Sequence, residues 1–163
     1  MRRSVVVTTK DPGVREQLGE FLKKYEYDVY FEKIGNPAIL TVLDRNVDIM
    51  INDLAGEDDS ELKVIGVIRS AKPKLPIIVL SENTSKEFIR KLLELGVFYC
   101  AMRPMQTGEM EKVLEAIERL YRKEQEGYTN HTIRGSNKVN TVSVPTNHSY
   151  SDDKTDETIS ILD

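Results

Sequence analysis

A single cysteine, Cys100, occurs among 163 residues. It excludes an intrachain disulfide and any metal centre built from several thiolates. Histidine is nearly as scarce. His131 and His148 both fall late in the chain, so no imidazole is available earlier to titrate near neutrality. No glycine-rich run follows the first apolar segment, and neither a G-x-G-x-x-G nor a Walker sequence occurs, which removes the phosphate cradles those motifs build. No apolar run approaches membrane-spanning length. The opening Met1-Arg2-Arg3-Ser4-Val5-Val6-Val7 lacks the longer apolar core and small-residue cleavage site of a secretory leader, and the expectation is a cytoplasmic protein. Positive charge is not in excess either. The net charge of −4 and pI near 5.4 give no electrostatic reason to expect a nucleic-acid partner.

What is present fits one globular domain with an appendage: 39% hydrophobic and 31% charged residues. Up to about residue 122, short apolar runs alternate with amphipathic patterns. The runs at 4–8, 27–31, 47–52, 76–80 and 98–102 are rich in Val, Ile, Tyr and Phe and predict strands. Between them Val14, Leu18, Phe21 and Leu22 share a helical face. So do Leu62, Ile65 and Ile68, then Phe88, Leu92 and Leu95, and finally Met110, Leu114, Ile117 and Tyr121. Asp11-Pro12 and Asn36-Pro37 predict capped helix starts, Thr84 with Glu87 a capping box, and Gly96 a helix end. Five βα units imply an α/β fold with a parallel sheet. We expect a flavodoxin-like, doubly wound five-stranded sheet of order 2-1-3-4-5. Residues 123–163 turn polar and predict a flexible tail, with a candidate hairpin near 132–144.

An open parallel sheet collects its functional groups at the C-terminal ends of its strands. Three ends are loaded here. The third strand closes on Asp53, the fourth on Ser81, and the fifth on Arg103-Pro104. A carboxylate, a hydroxyl and a cation on successive strands outline a phosphoryl-type site.

In this order and spacing, residues 4 to about 122 resemble a CheY-like response-regulator receiver domain of two-component signalling. The resemblance places Asp53 at the phosphoacceptor position of a phosphorelay protein. It places Ser81 at the hydroxyl position and Arg103 at that of a lysine followed by a cis proline, Pro104. It implies a signalling module and not an enzyme. Its partners would be proteins, such as a histidine kinase or a downstream signalling protein. A homodimer could form through the face of the fourth helix, fifth strand and fifth helix, including Ile89, Leu93, Tyr99, Met102 and Met105.

The departures are equally specific. The family's magnesium-binding acid pair at the end of the first strand aligns with Thr9 and Lys10, beside Asp11. Asp53 and the carbonyl of Ala55 alone make a poor magnesium site, because that ion wants an octahedron of oxygens, usually with one or two carboxylates. Magnesium is therefore expected to bind weakly or not at all, and no other cofactor is implied. The aromatic switch position falls on Cys100, whose small thiol packs and does not swing. Lys10 is expected to pair with Asp53 and substitute for the ion, and Arg103 to supply a further counter-charge. Asp53 has two readings, phosphoacceptor and residual strand-end carboxylate. A divergent pseudo-receiver follows from these departures. The competing class is a small flavodoxin-like ligand-binding protein or enzyme unrelated to phosphorelay.

Overall fold

In the computed structural model the described residues are 2–56 and 58–136, with side chains as far as residue 127. Two compact units divide at Arg122 and Lys123. The first contains five strands: β1 (Ser4–Thr8), β2 (Asp28–Glu32), β3 (Ile49–Leu54), β4 (Ile77–Ser81) and β5 (Tyr99–Met102). They form one parallel sheet of order β2-β1-β3-β4-β5. Four helices connect them: α1 (Pro12–Lys24), α2 (Asn36–Asp44), α3 (Asp59–Ala71) and α4 (Lys86–Glu94). A fifth, α5 (Thr107–Ser136), begins in this unit. The fold is the flavodoxin-like one expected.

Alternation along the strands separates two cores. Val5, Val7, Ile49, Ile51, Ile78 and Leu80 bury one sheet face against α1 and α5, through Leu18, Leu22, Leu114 and Ile117. Val6, Met50, Ile77 and Val79 bury the other against α2, α3 and α4, through Val42, Ile65, Ile68, Phe88 and Leu92. The central strand β3 is buried along its whole length. This is why it reads as a continuous apolar run up to its polar tip.

The helix ends refine the expected pattern. Asp11 caps α1 as expected, accepting from the amides of Gly13 and Val14. Asn36 does not cap α2. It is the first helical residue, and Gly35 precedes it at φ 121°, a conformation that favours glycine. Ser85, not Thr84, caps α4, its hydroxyl accepting from the Phe88 amide at 3.2 Å. Met105, expected on the surface, is buried at 6% exposure with Met110 and Val113, because the segment after Pro104 folds back into the α1–α5 core. At the far end, the residues expected to start a hairpin at 132 instead continue α5 to Ser136, and the expected return strand lies outside the described residues.

Candidate functional site

Among the described residues, the buried polar or charged side chains are Thr8, Asn52, Asp53, Glu61 and Ser81. All lie at the C-terminal edge of the sheet or in the first turn of α3, which follows it. Elsewhere the interior is apolar. Burial of polar groups is unfavourable unless they find partners, so their concentration at one edge marks the site.

Asp53 is the centre of that edge. Its Oδ2 accepts a 2.6 Å hydrogen bond from the Thr9 hydroxyl. Arg103 Nε stands 3.1 Å from its Oδ1. That contact is ionic without hydrogen-bond alignment, and Oδ1 accepts no hydrogen bond among the described residues. The carboxylate side chain is only 2% exposed. Burial raises the Asp53 pKa, opposed by the Thr9 hydrogen bond and the Arg103 charge, while Asp11 and Glu61 reinforce the rise.

Arg103 serves more than one acid. Its Nη2 donates to Asp11 Oδ2 at 2.7 Å, and Nη1 lies 3.6 Å from Glu82 Oε1. A planar guanidinium spreads its donors over a wide, fixed fork, which the compact ammonium of a lysine does not. The Arg103–Pro104 bond is cis, and the Arg103 amide donates to the carbonyl of Ser81 at the end of β4. Asp11 is pulled to a lower pKa chiefly by the Val14 and Gly13 amides, with Arg103 adding to them.

Lys10 does not pair with Asp53. Its ammonium lies 2.9 Å from Glu61 Oε1. Lys10 is largely exposed, while the Glu61 side chain is 5% exposed, so the flexible stem of the lysine reaches to the buried acid. The Glu61 hydrogen bond and charge raise the Lys10 pKa. The reason for the different partner is local. Arg103 and Thr9 already occupy the surroundings of Asp53, while Glu61, on α3, offers a buried charge with no other cation beside it among the described residues.

Ser81 is buried and turned to its own loop, its hydroxyl accepting from the Asn83 amide at 3.0 Å. Ala55 is exposed just beyond β3. Cys100 packs against the α2–α3–α4 core, and burial raises its pKa. The structure therefore brings Thr9, Asp11, Asp53 and Arg103 together and leaves Lys10, Ser81 and Cys100 with other neighbours. Glu61 and Glu82 were not singled out in the sequence. The spacing Asp58-x-x-Glu61 at the start of α3 was the available signal for the first, and adjacency to Ser81 for the second. No group of three or more His, Cys, Asp or Glu suited to a metal ion occurs among the described residues. No described helix is long and apolar enough to cross a membrane.

Residues 5–115 match the response regulator receiver domain family. A response regulator receiver protein from Pseudomonas putida is 27% identical, with a TM-score of 0.64 over 71% of this chain and 98% of that one. A CheY-like receiver domain protein from Methanospirillum hungatei gives 14% identity and a TM-score of 0.67 over 76% and 99% of the two chains. A chemotaxis response regulator of Vibrio cholerae gives 18% and 0.64 over 72% and 99%.

Proposed function

Since this chain belongs to the response-regulator receiver family, we propose that it is a divergent receiver, a signalling module that acts by binding other proteins and not by catalysis. Asp53 stands at the phosphoacceptor position but serves as a buried structural carboxylate. The observation that carries this reading is the environment of that one side chain. Thr9 takes one oxygen, Arg103 faces the other, and the side chain is almost wholly withdrawn from solvent.

Magnesium, which the family implies, does not fit the residues present. The ion needs several oxygen ligands in an octahedron. At the positions of the acid pair the chain carries a hydroxyl that donates to Asp53 and an ammonium committed to Glu61. The neighbouring Asp11 has one oxygen on two backbone amides and the other on Arg103. Without a divalent cation to draw together the charges of an incoming phosphoryl group and Asp53, phosphoryl transfer loses its main electrostatic support.

Output then passes through a surface. The face of α4, β5 and α5 suits a protein partner or a second copy of this chain, with Leu93 60% exposed, Met102 58% and Phe98 37%. Single exposed apolar residues are ordinary; these three come from α4, from β5 and from the residue just before β5, and supply that face with apolar surface. Met105 does not belong to it.

Incubating the purified chain with acetyl phosphate and magnesium, followed by intact mass measurement, tests the reading. The expected result is an unchanged mass. A phosphate adduct that Asp53→Asn abolishes would overturn it.

A further inference from the structure

Three consecutive side chains of the β1–α1 loop each bind a different element. Thr9 donates to Asp53 at the tip of β3, at 2.6 Å. Lys10 pairs with Glu61 in the first turn of α3, at 2.9 Å. Asp11 accepts from Arg103, just beyond β5, at 2.7 Å. Arg103 closes the circuit by facing Asp53 at 3.1 Å and reaches Glu82, just beyond β4, at 3.6 Å. One short loop and one guanidinium thus tie together the C-terminal edges of β1, β3, β4 and β5 and the start of α3.

We infer that residues 9–11 and Arg103 form a protein-built clasp that takes over the cross-linking a divalent cation would supply, with Asp11 as the positioning residue that holds Arg103 across the site. This rests on the reading that the site works without magnesium. The geometry of Asp11 carries the argument. Its two oxygens divide their work: Oδ1 caps α1 through Gly13 and Val14, and Oδ2 holds the guanidinium. A cap needs only one acceptor oxygen, and asparagine caps as well as aspartate does. The second oxygen is therefore free for a task unrelated to α1. Charge-assisted bonds to a guanidinium are the stronger class of hydrogen bond, and this one fixes a residue that is 13% exposed. The consequence is that the loops after β4 and β5 are held by the chain's own charges. They present their surface in one arrangement whatever the supply of metal or phosphoryl donor.

Asp11→Asn separates the two tasks. The amide oxygen keeps the cap, while the amide nitrogen, a donor, would face the guanidinium, also a donor. Backbone amide exchange, read by NMR on the full chain, provides the measurement. In Asp11→Asn, amides at 82–84, 103, 105 and 106 should exchange about tenfold faster, as loss of one charge-assisted hydrogen bond implies. Amides of α1 should stay as protected as in the wild type. Arg103→Met should open the same two loops, and the double variant should open them no further. Unchanged loops in Asp11→Asn, or loss of protection in α1 to the same extent, would overturn the clasp while leaving the magnesium-independent reading intact. Added protection of these loops in the wild type on adding magnesium would overturn that reading itself.

Discussion

Lys10 and Glu61 meet at 2.9 Å across the opening between the β1–α1 loop and α3, the lysine in solvent and the glutamate enclosed. The pair is asymmetric, and so is the effect of breaking it. Removing the lysine leaves a buried carboxylate without a counter-ion, the costly case for an ion pair. Glu61 Oε2 already lacks a hydrogen bond among the described residues, which leaves Lys10 as the main compensation.

Lys10→Ala should therefore destabilise the chain by about 1–2 kcal/mol, the buried-pair cost discounted for the exposure of the lysine. Adding Glu61→Gln should recover much of the loss. Urea denaturation of the two single variants and the double variant measures the coupling. Independent, additive effects would show that the contact contributes nothing.

The reach of Lys10 shows where sequence reading ends. Position in the chain places its backbone beside Asp53, and that much was legible. A four-carbon stem can serve any acid within several ångströms, so its partner depends on which carboxylate is left without a cation. That depends in turn on Arg103, whose fork spans Asp11, Asp53 and Glu82 together. By contrast, the strands and helix faces were plain, because β1 and β3 are buried on both faces and read as continuous apolar runs, while Leu92 recurs on the buried face of α4 with the helical period. Asp11 and Gly96 were plain because each does a local job, one capping α1 and the other turning out of α4 at φ 78°. Met105 misled because the turn after Pro104, not the residue type, decides whether it faces water. The length of α5 misled because polar composition alone does not end a helix.

Gly96 provides a stability test far from the site. Its positive φ disfavours any side chain, and an added Cβ would lie 3.0 Å from Arg69 Nε. Arg69 is held there by the carbonyls of Pro73 and Gly96, at 2.5 and 2.7 Å, and cannot retreat without losing them. Gly96→Ala should cost about 1–2 kcal/mol. Gly108→Ala, with nothing within 4 Å of the new Cβ, should be neutral or stabilise by about 0.5 kcal/mol. Thermal melts of both variants check the contrast.

At the opposite edge of the sheet, Arg3 joins α5 to β1 and β3. Its Nε is 2.6 Å from Glu118, Nη1 is 3.5 Å from Asp48, and its guanidinium stacks 4.2 Å over the Tyr121 ring. Tyr121 donates to the Asp48 carbonyl at 2.6 Å. Arg3→Ala removes charge and stacking together and should cost about 1–2 kcal/mol. Arg3→Lys should restore only part, since an ammonium cannot stack and fork at once. Equal stability of the lysine variant and the wild type would show that charge alone matters.

The two site aspartates should respond to pH with opposite signs. The Asp53 pKa is raised in the fold, so the native state holds that proton more tightly than the unfolded chain, and stability falls as pH rises from 3.8 through the raised value. Asp53→Asn removes this loss. Relative to the wild type it should gain stability across that window and keep the gain at neutral pH. The Asp11 pKa is lowered, so its contribution is present above 3.8 and disappears as pH falls through the lower native value. Asp11→Asn should accordingly be less stable than the wild type at neutral pH and approach it in acid. Denaturant midpoints of the three proteins between neutral and acid pH test both signs.

On the reading proposed above, this receiver's edge is closed by its own side chains and not by an ion and a phosphoryl group. The most direct measurement is the amide NMR spectrum on adding magnesium together with beryllofluoride, an acyl-phosphate mimic. The resonances of Thr9, Lys10, Asp11, Asp53 and Arg103 should stay where they are at millimolar magnesium. Saturable shifts at those residues, absent in Asp53→Asn, would contradict it.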